Sequence, residues 1–267
     1  MSENNLDLEA ELFYRKPLLA GEQKPSFGLS EPDPDRPELQ GFTAKIRNAR
    51  EKQTSLDQEG FCLANHRSET IDFYDAAEVQ SRYYREMKDL TKKLTSADFV
   101  QILSNITRNE KQAAQGKRLG AHRLVHNDFT PDLAQTLKPL VESHGIKPKR
   151  VRVFNLWRRF DFDAVDAPLA VCDSGTVGQE ELIATDLHNY GEGTGFQVEI
   201  YQSSYQAKHR WFYYPKMKRD EVLVFQTYDS QMNPFSPTLH SAFDDPGRPQ
   251  NASPRESIEV RAVCLYM

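Results

Sequence analysis

The sequence predicts a mainly β protein with flanking helices (α+β), a β-sandwich or jelly-roll, and three observations predict it. From residue 150 onward the chain breaks into short apolar and aromatic runs separated by turn residues, at 150–160, 169–172, 195–203, 211–214, 221–228, 238–243 and 257–266. Before them stands one helical stripe, Val79, Tyr83, Met87, Leu90 and Leu94, the pattern of a helix packed on a sheet. A chain of 267 residues, finally, can bury one substantial core, as all-β domains of this size do.

Taken in order, residues 1–58 are rich in Pro, Glu, Asp and Lys, and Glu31-Pro-Asp-Pro-Asp-Arg-Pro37 cannot sustain helix or sheet pairing. They are expected to form an extended N-terminal arm. It would lie across the body through Phe13, Tyr14, Leu18, Leu19 and Phe27, or across a second subunit to make a homodimer, with a short polar helix over 42–55. Residues 59–267 are then one domain. Gly60-Phe-Cys-Leu63 is a short strand, and Asp75-Ala-Ala-Glu78 is a capping box that opens the helix. A strand over 98–107 and a polar loop over 108–120 lead to a further strand carrying His126. Thr130 caps a helix with Pro131 first and Asp132 in its first turn; Leu133, Leu137 and Leu140 share a face, Pro139 bends the helix, and Gly145 ends it.

Composition narrows the function. A net charge of −5 without a long Lys/Arg run does not describe a nucleic-acid binder. No 18-residue apolar stretch is present, and the N-terminus has neither the basic nor the apolar part of a secretion signal, so the expectation is a soluble, cytoplasmic protein with no membrane partner. Cys62, Cys172 and Cys264 lack Cys-x-x-Cys spacing and read as buried thiols in a reducing compartment.

The chemistry centres on Leu124-Val-His-Asn-Asp-Phe-Thr130. In an extended strand His126 and Asp128 share a face, which supplies two thirds of the two-His-one-carboxylate set that holds iron(II) and leaves positions open. A third ligand would be His240, in Leu239-His-Ser-Ala-Phe243, or else His209 in Lys208-His-Arg-Trp211. Beyond it, Arg255 and Ser257 open the last strand. An Arg there presents a planar fork matching the distal carboxylate of a 2-oxo diacid, and the Ser adds a hydrogen bond; Arg261 is a second candidate for the same role. Alternation alone also permits Arg255, Ser257, Glu259 and Arg261 to be the wet side of a strand whose dry side is Ile258, Val260 and Ala262. Asn155 and Trp157 share a face and are candidates to line a substrate pocket. His66, His122, His144 and His188 have no partner at ligand spacing and are assigned surface or capping roles.

Several blocks carry a resemblance: Val125-His-Asn-Asp-Phe-Thr130, Val153-Phe-Asn-Leu-Trp-Arg158, Pro168-Leu-Ala-Val-Cys-Asp173, His209-Arg-Trp-Phe-Tyr-Tyr-Pro215, Asp220-Glu-Val-Leu-Val-Phe225 and Tyr228-Asp-Ser230. His240-Ser-Ala-Phe-Asp-Asp-Pro246 and Arg255-Glu-Ser-Ile-Glu-Val-Arg261 complete the set. From about Gly60 to the C-terminus the chain resembles the AsaB-like hydroxylase/desaturase family, related to the cephalosporin methoxylase accessory chain and to endoperoxide-forming oxygenases of meroterpenoid pathways. The resemblance implies a double-stranded β-helix (jelly-roll) core and a non-haem iron(II) enzyme. Its co-substrates would be 2-oxoglutarate and O2, and it would oxidise a C–H bond of a small-molecule natural-product intermediate in secondary metabolism. His126 and Asp128 match the family's His-x-Asp and His240 its later His; Arg255 and Ser257 would anchor the co-substrate. The competing readings are a non-catalytic jelly-roll binding or accessory chain and a zinc hydrolase with the same three ligands.

Overall fold

The short runs pair into two sheets. In the computed structural model, residues 7–28, 36–137, 139, 142, 145, 147–161, 166–188 and 198–267 are described. The strands are β1 (Leu8–Arg15), β2 (Ser26–Gly28), β3 (Leu39–Asn48), β4 (Phe61–Asn65), β5 (Phe99–Asn109), β6 (His126–Asn127) and β7 (Arg150–Arg159). They continue as β8 (Leu169–Cys172), β9 (Leu182–His188), β10 (Val198–Ser203), β11 (Trp211–Tyr213), β12 (Glu221–Asp229), β13 (His240–Ala242) and β14 (Glu256–Tyr266). One sheet runs β1-β3-β11-β8-β13-β6-β10-β9-β2 and the other β4-β12-β7-β14-β5. Within them, β5-β14-β7-β12 and β6-β13-β8-β11 are antiparallel throughout. The chain crosses from sheet to sheet through most of this core, which is the double-stranded β-helix, a jelly-roll of two facing sheets.

The five-stranded sheet is covered on both faces. Its outer face, with Leu156, Val224, Ile258, Val260 and Ala262, takes the apolar stripe of a helix. That helix (α1) runs from Ala76–Glu78 through a π turn at Val79–Tyr83 into Tyr84–Thr95. Val79, Tyr83, Met87 and Leu90 are buried, each contributing about 1.5–3 kcal/mol of apolar burial, whereas Leu94 in the last turn is 36% exposed. Asp75 caps the helix as expected, accepting from the N–H groups of Ala77 and Glu78 at 2.8 and 3.2 Å. Glu78 does not close the box; it accepts instead from the N–H groups of Ile71 and Asp72.

Among the described residues, the first 58 positions hold three strands of the larger sheet. β1 pairs antiparallel with β3, β3 lies parallel to β11, and β2 parallel to β9. The helix expected over 42–55 is not formed: β3 runs to Asn48 and only Ala49–Glu51 make a 3-10 turn. Phe42, Ala44 and Ile46 alternate onto the same apolar cluster as Ala10, Leu12 and Tyr14, a period of two, and β1 and β11 supply backbone partners on both sides. Tyr14 and Phe27 pack on the body, while Leu18 and Leu19 are exposed.

The loop expected over 108–120 begins later, since β5 includes Arg108 and Asn109, and it contains a short helix α2 (Glu110–Ala113). A helix α3 (Pro131–Thr136) opens where Pro131 places it; most of the stretch from 138 to Gly145 lies outside the described residues. The predicted strand over 195–203 is described from Val198. β9 was not expected; Ile183, Thr185 and Leu187 alternate inward along it.

Candidate active site

β6 is two residues long and is held from both sides. His126 lies directly opposite His240 of β13 and Gln202 of β10. Cross-strand neighbours share a sheet face, and the two imidazole centroids are 4.1 Å apart. Asp128, two residues on, returns to that face. His126, Asp128 and His240 each offer a ligand atom, all within 4.8 Å of one another, the one such cluster among the described residues.

The orientation of each ligand is fixed locally. His126 Nδ1 lies 2.7 Å from the carbonyl of Leu124. A carbonyl only accepts, so Nδ1 carries the proton and Nε2 presents its lone pair, 3.5 Å from Asp128 Oδ1. Asp128 Oδ2 accepts from Asn155 Nδ2 at 2.7 Å and from Arg261 Nε at 2.8 Å, which leaves Oδ1 toward the imidazole. His240 Nδ1 is buried without a hydrogen-bond partner, and its ring packs on Phe225 at 4.6 Å. Burial and the neighbouring His126 push the His240 imidazole down to about 3, so it is neutral at pH 7. Burial pushes Asp128 up, but Arg261, His126 and His240 outweigh it and hold the carboxyl well below its ordinary value.

Strand register builds the rest of the inner face. Asn155 of β7 stands opposite Arg261 of β14, Trp157 opposite Glu259, and Arg159 opposite Ser257. On the other side of β14, Arg108 of β5 stands opposite Ser257 and Ser104 opposite Arg261. The wet-face alternative fails here: Arg255, Ser257, Glu259 and Arg261 are 2, 1, 8 and 5% exposed, because β14 is an interior strand with both faces covered. Arg255 Nε donates to Ser257 Oγ at 3.1 Å and Nη1 to the carbonyl of Ala167 at 2.8 Å, with the guanidinium 5.2 Å from the Trp157 ring. Among the described residues that guanidinium meets no carboxylate. Burial, Arg108 and Arg159 press it down to about 9. Glu259 is pushed up to about 8, by burial first and then by Asp128.

The structure gathers His126, Asp128 and His240 and places the other expected residues around them. Asn155 donates to Asp128. Trp157 carries Arg255 on its face and packs with Leu169, Phe212 and Leu223. Arg261 is engaged with Asp128 and, at 3.1 Å, with Glu259. His209 is elsewhere: its Nδ1 meets Tyr14 Oη at 3.0 Å and its Nε2 meets Glu181. His122, expected at the surface or in a cap, instead sits against His126 with ring centroids 4.6 Å apart and against Phe27 at 6.3 Å. Burial, His126 and Arg108 hold it well below the ordinary imidazole range. His66 is not a cap either, since its Nδ1 lies 2.8 Å from Arg158 Nη2, and His188 meets Ser26. His144 lies outside the described residues. Arg108, read from sequence as the start of a loop, was missed; the alternation Ser104, Ile106, Arg108 opposite Arg261, Glu259 and Ser257 is the signal that marks it.

Several known proteins resemble the chain. The chain is 29% identical over 263 residues to the Fe(II)/2-oxoglutarate-dependent dioxygenase nvfI of Aspergillus novofumigatus, covering 95% of this chain and 90% of that protein. It is 28% identical over 241 residues to the hydroxylase/desaturase efuI of Hormonema carpetanum, covering 81% and 80% respectively. A solved structure of the iron and alpha-ketoglutarate-dependent endoperoxidase NvfI superposes with a TM-score of 0.81 at 27% identity, over 97% of this chain and 98% of that one. Fold, site and relatives together define a non-haem iron(II)- and 2-oxoglutarate-dependent oxygenase, like those of fungal secondary metabolism. The chain belongs to the family described as Oxidoreductase/YMDC permease-like domain, whose model matches residues 13–265. None of its described helices is long and apolar enough to cross a membrane.

Proposed function

We propose that the chain holds iron(II) through His126 Nε2, Asp128 and His240, seats 2-oxoglutarate with its distal carboxylate on Arg255 and Ser257, and oxidises a C–H bond of a small natural-product intermediate. The observation that carries this is the convergence of two imidazoles and one carboxylate, their ligand atoms within 4.8 Å of one another. The donor set fits the metal: one face is supplied by the protein and the remaining positions stay open.

When bound, the iron supplies activation of O2 coupled to oxidative decarboxylation of 2-oxoglutarate to succinate and carbon dioxide. The protein's part is placement. The Leu124 carbonyl sets the tautomer of His126, and the Asn155 and Arg261 donors fix which oxygen of Asp128 faces the imidazole. Arg255, flattened on Trp157 and pinned by Ser257 and the Ala167 carbonyl, presents a pre-ordered fork whose missing counter-charge a distal carboxylate provides. Burial of the whole face excludes water from the reacting centre. The reading extends to a cytosolic protein, which suits three free thiols, and to homodimer formation through the N-terminal segment.

The test is conversion of 2-oxoglutarate to succinate by purified protein with iron(II) and ascorbate. Wild type should turn it over slowly even without its organic substrate, and Asp128→Ala should fall to the level of the no-protein control. Turnover that survives in Asp128→Ala contradicts the ligand assignment.

A further inference from the structure

Arg108 is a cation without an assigned task. It lies one residue before the end of β5, on the inner face, directly opposite Ser257, and it is half-buried. Its Nη1 donates to the carbonyl of Gly120 at 2.8 Å, and among the described residues no carboxylate forms an ion pair with it. Arg255 reaches the same spot from the same strand as Ser257, its Nε 3.1 Å from the hydroxyl. The two arginines thus flank one serine, Arg255 bonded to its hydroxyl and Arg108 its cross-strand neighbour. Glu110 and Glu259 act on both, but among the described residues neither guanidinium makes an ion pair with a carboxylate, and each carries donors in a fixed fork. Like charges held close in a low-dielectric interior repel, and an anion seated between them relieves that repulsion. The electrostatics agree: burial lowers Arg255 first and Arg108 next, while Arg108, itself lowered by burial, feels Glu259, Arg261, Asp128 and Glu110, so it lies within electrostatic reach of both the metal-ligand cluster and the Arg255 fork.

We infer that Arg108 is a second anchor for the co-substrate, sharing the distal carboxylate of the 2-oxo diacid with Arg255 across Ser257. A carboxylate has two oxygens with about four acceptor positions, enough for both forks and the serine hydroxyl. Such a clamp selects a diacid over a 2-oxo monoacid, because a monoacid supplies no counter-charge to either guanidinium. The inference rests on the 2-oxoglutarate reading above and adds a residue to it.

Calorimetry on the full-length cobalt(II)-loaded protein tests it, with 2-oxoglutarate and with 2-oxobutyrate, which lacks the distal carboxylate. Arg108→Gln should weaken 2-oxoglutarate binding roughly tenfold or more. The same variant should leave 2-oxobutyrate and cobalt(II) affinities within about twofold of wild type, and Arg108→Lys should recover part of the loss. Unchanged cobalt(II) affinity also reports that the variant is folded. An Arg108→Gln protein that binds 2-oxoglutarate like wild type, or that loses affinity for both acids equally, overturns the inference while the Arg255 anchor stands. Wild-type protein that binds cobalt(II) but not 2-oxoglutarate overturns the co-substrate reading itself.

Discussion

His240 is neutral where an exposed histidine would be half-charged near pH 6.5, and that difference has a thermodynamic sign. The folded imidazole refuses a proton until about pH 3, whereas the unfolded chain takes one up below its ordinary value of 6.5. Its contribution to stability is therefore fully present above 6.5 and lost as pH falls through the window toward 3. Well inside that window the slope is about 1.4 kcal/mol per pH unit for one such group. Urea denaturation of metal-free protein at a series of pH values should show this fall, and His240→Asn should flatten it; parallel slopes would show that another group is responsible. At this scale the sequence was partly legible. His126 and Asp128 could be paired because a strand puts alternate residues on one face, and His240 because it follows in the order expected of a jelly-roll. His122 and Arg108 could not, because what places them is contact and strand register with residues far along the chain.

Elements whose pattern is local were read well. The stripe on α1 is helical in period and packs as expected, except at Leu94, where the last turn leaves the side chain 36% exposed. Met87→Ala should accordingly cost about 2–5 kcal/mol of unfolding free energy, and Leu94→Ala no more than about 0.5 kcal/mol. Thermal or denaturant unfolding distinguishes the two, and equal losses would contradict the packing described. β3 was misread as helix because the polar residues between Phe42, Ala44 and Ile46 hide a period of two, and because its partners, β1 and β11, are non-local. β14 was left undecided between wet face and binding face. Alternation says which residues share a side; only the neighbours β5 and β7 decide that the charged side is enclosed.

Across the whole molecule, eight core strands carry the site; β1, β2, β3, β9 and β10 extend the sheet that holds the two histidines, and β4 edges the other. The N-terminal segment is tied in through Tyr14, whose hydroxyl accepts from Trp211 Nε1 at 2.8 Å and meets His209 Nδ1 at 3.0 Å. Tyr14→Phe strands buried polar groups and should cost about 1–3 kcal/mol of stability. It should leave iron and 2-oxoglutarate binding intact, since this network is separate from the His126, Asp128 and His240 cluster. The global architecture was legible from strand count and order. The incorporation of the first strands was not, since their composition is that of a solvated arm and their pairing partners lie far along the chain.

The central claim is that His126, Asp128 and His240 gather around one iron with room for a chelating 2-oxo acid. Anaerobic titration of iron(II) into the protein with 2-oxoglutarate tests it directly, through the weak visible charge-transfer absorption of the chelated acid. The account predicts a band that saturates at about one iron per chain in wild type and is absent in His240→Ala. A folded wild-type protein that gives no band, or a His240→Ala protein that gives the same band, would contradict it.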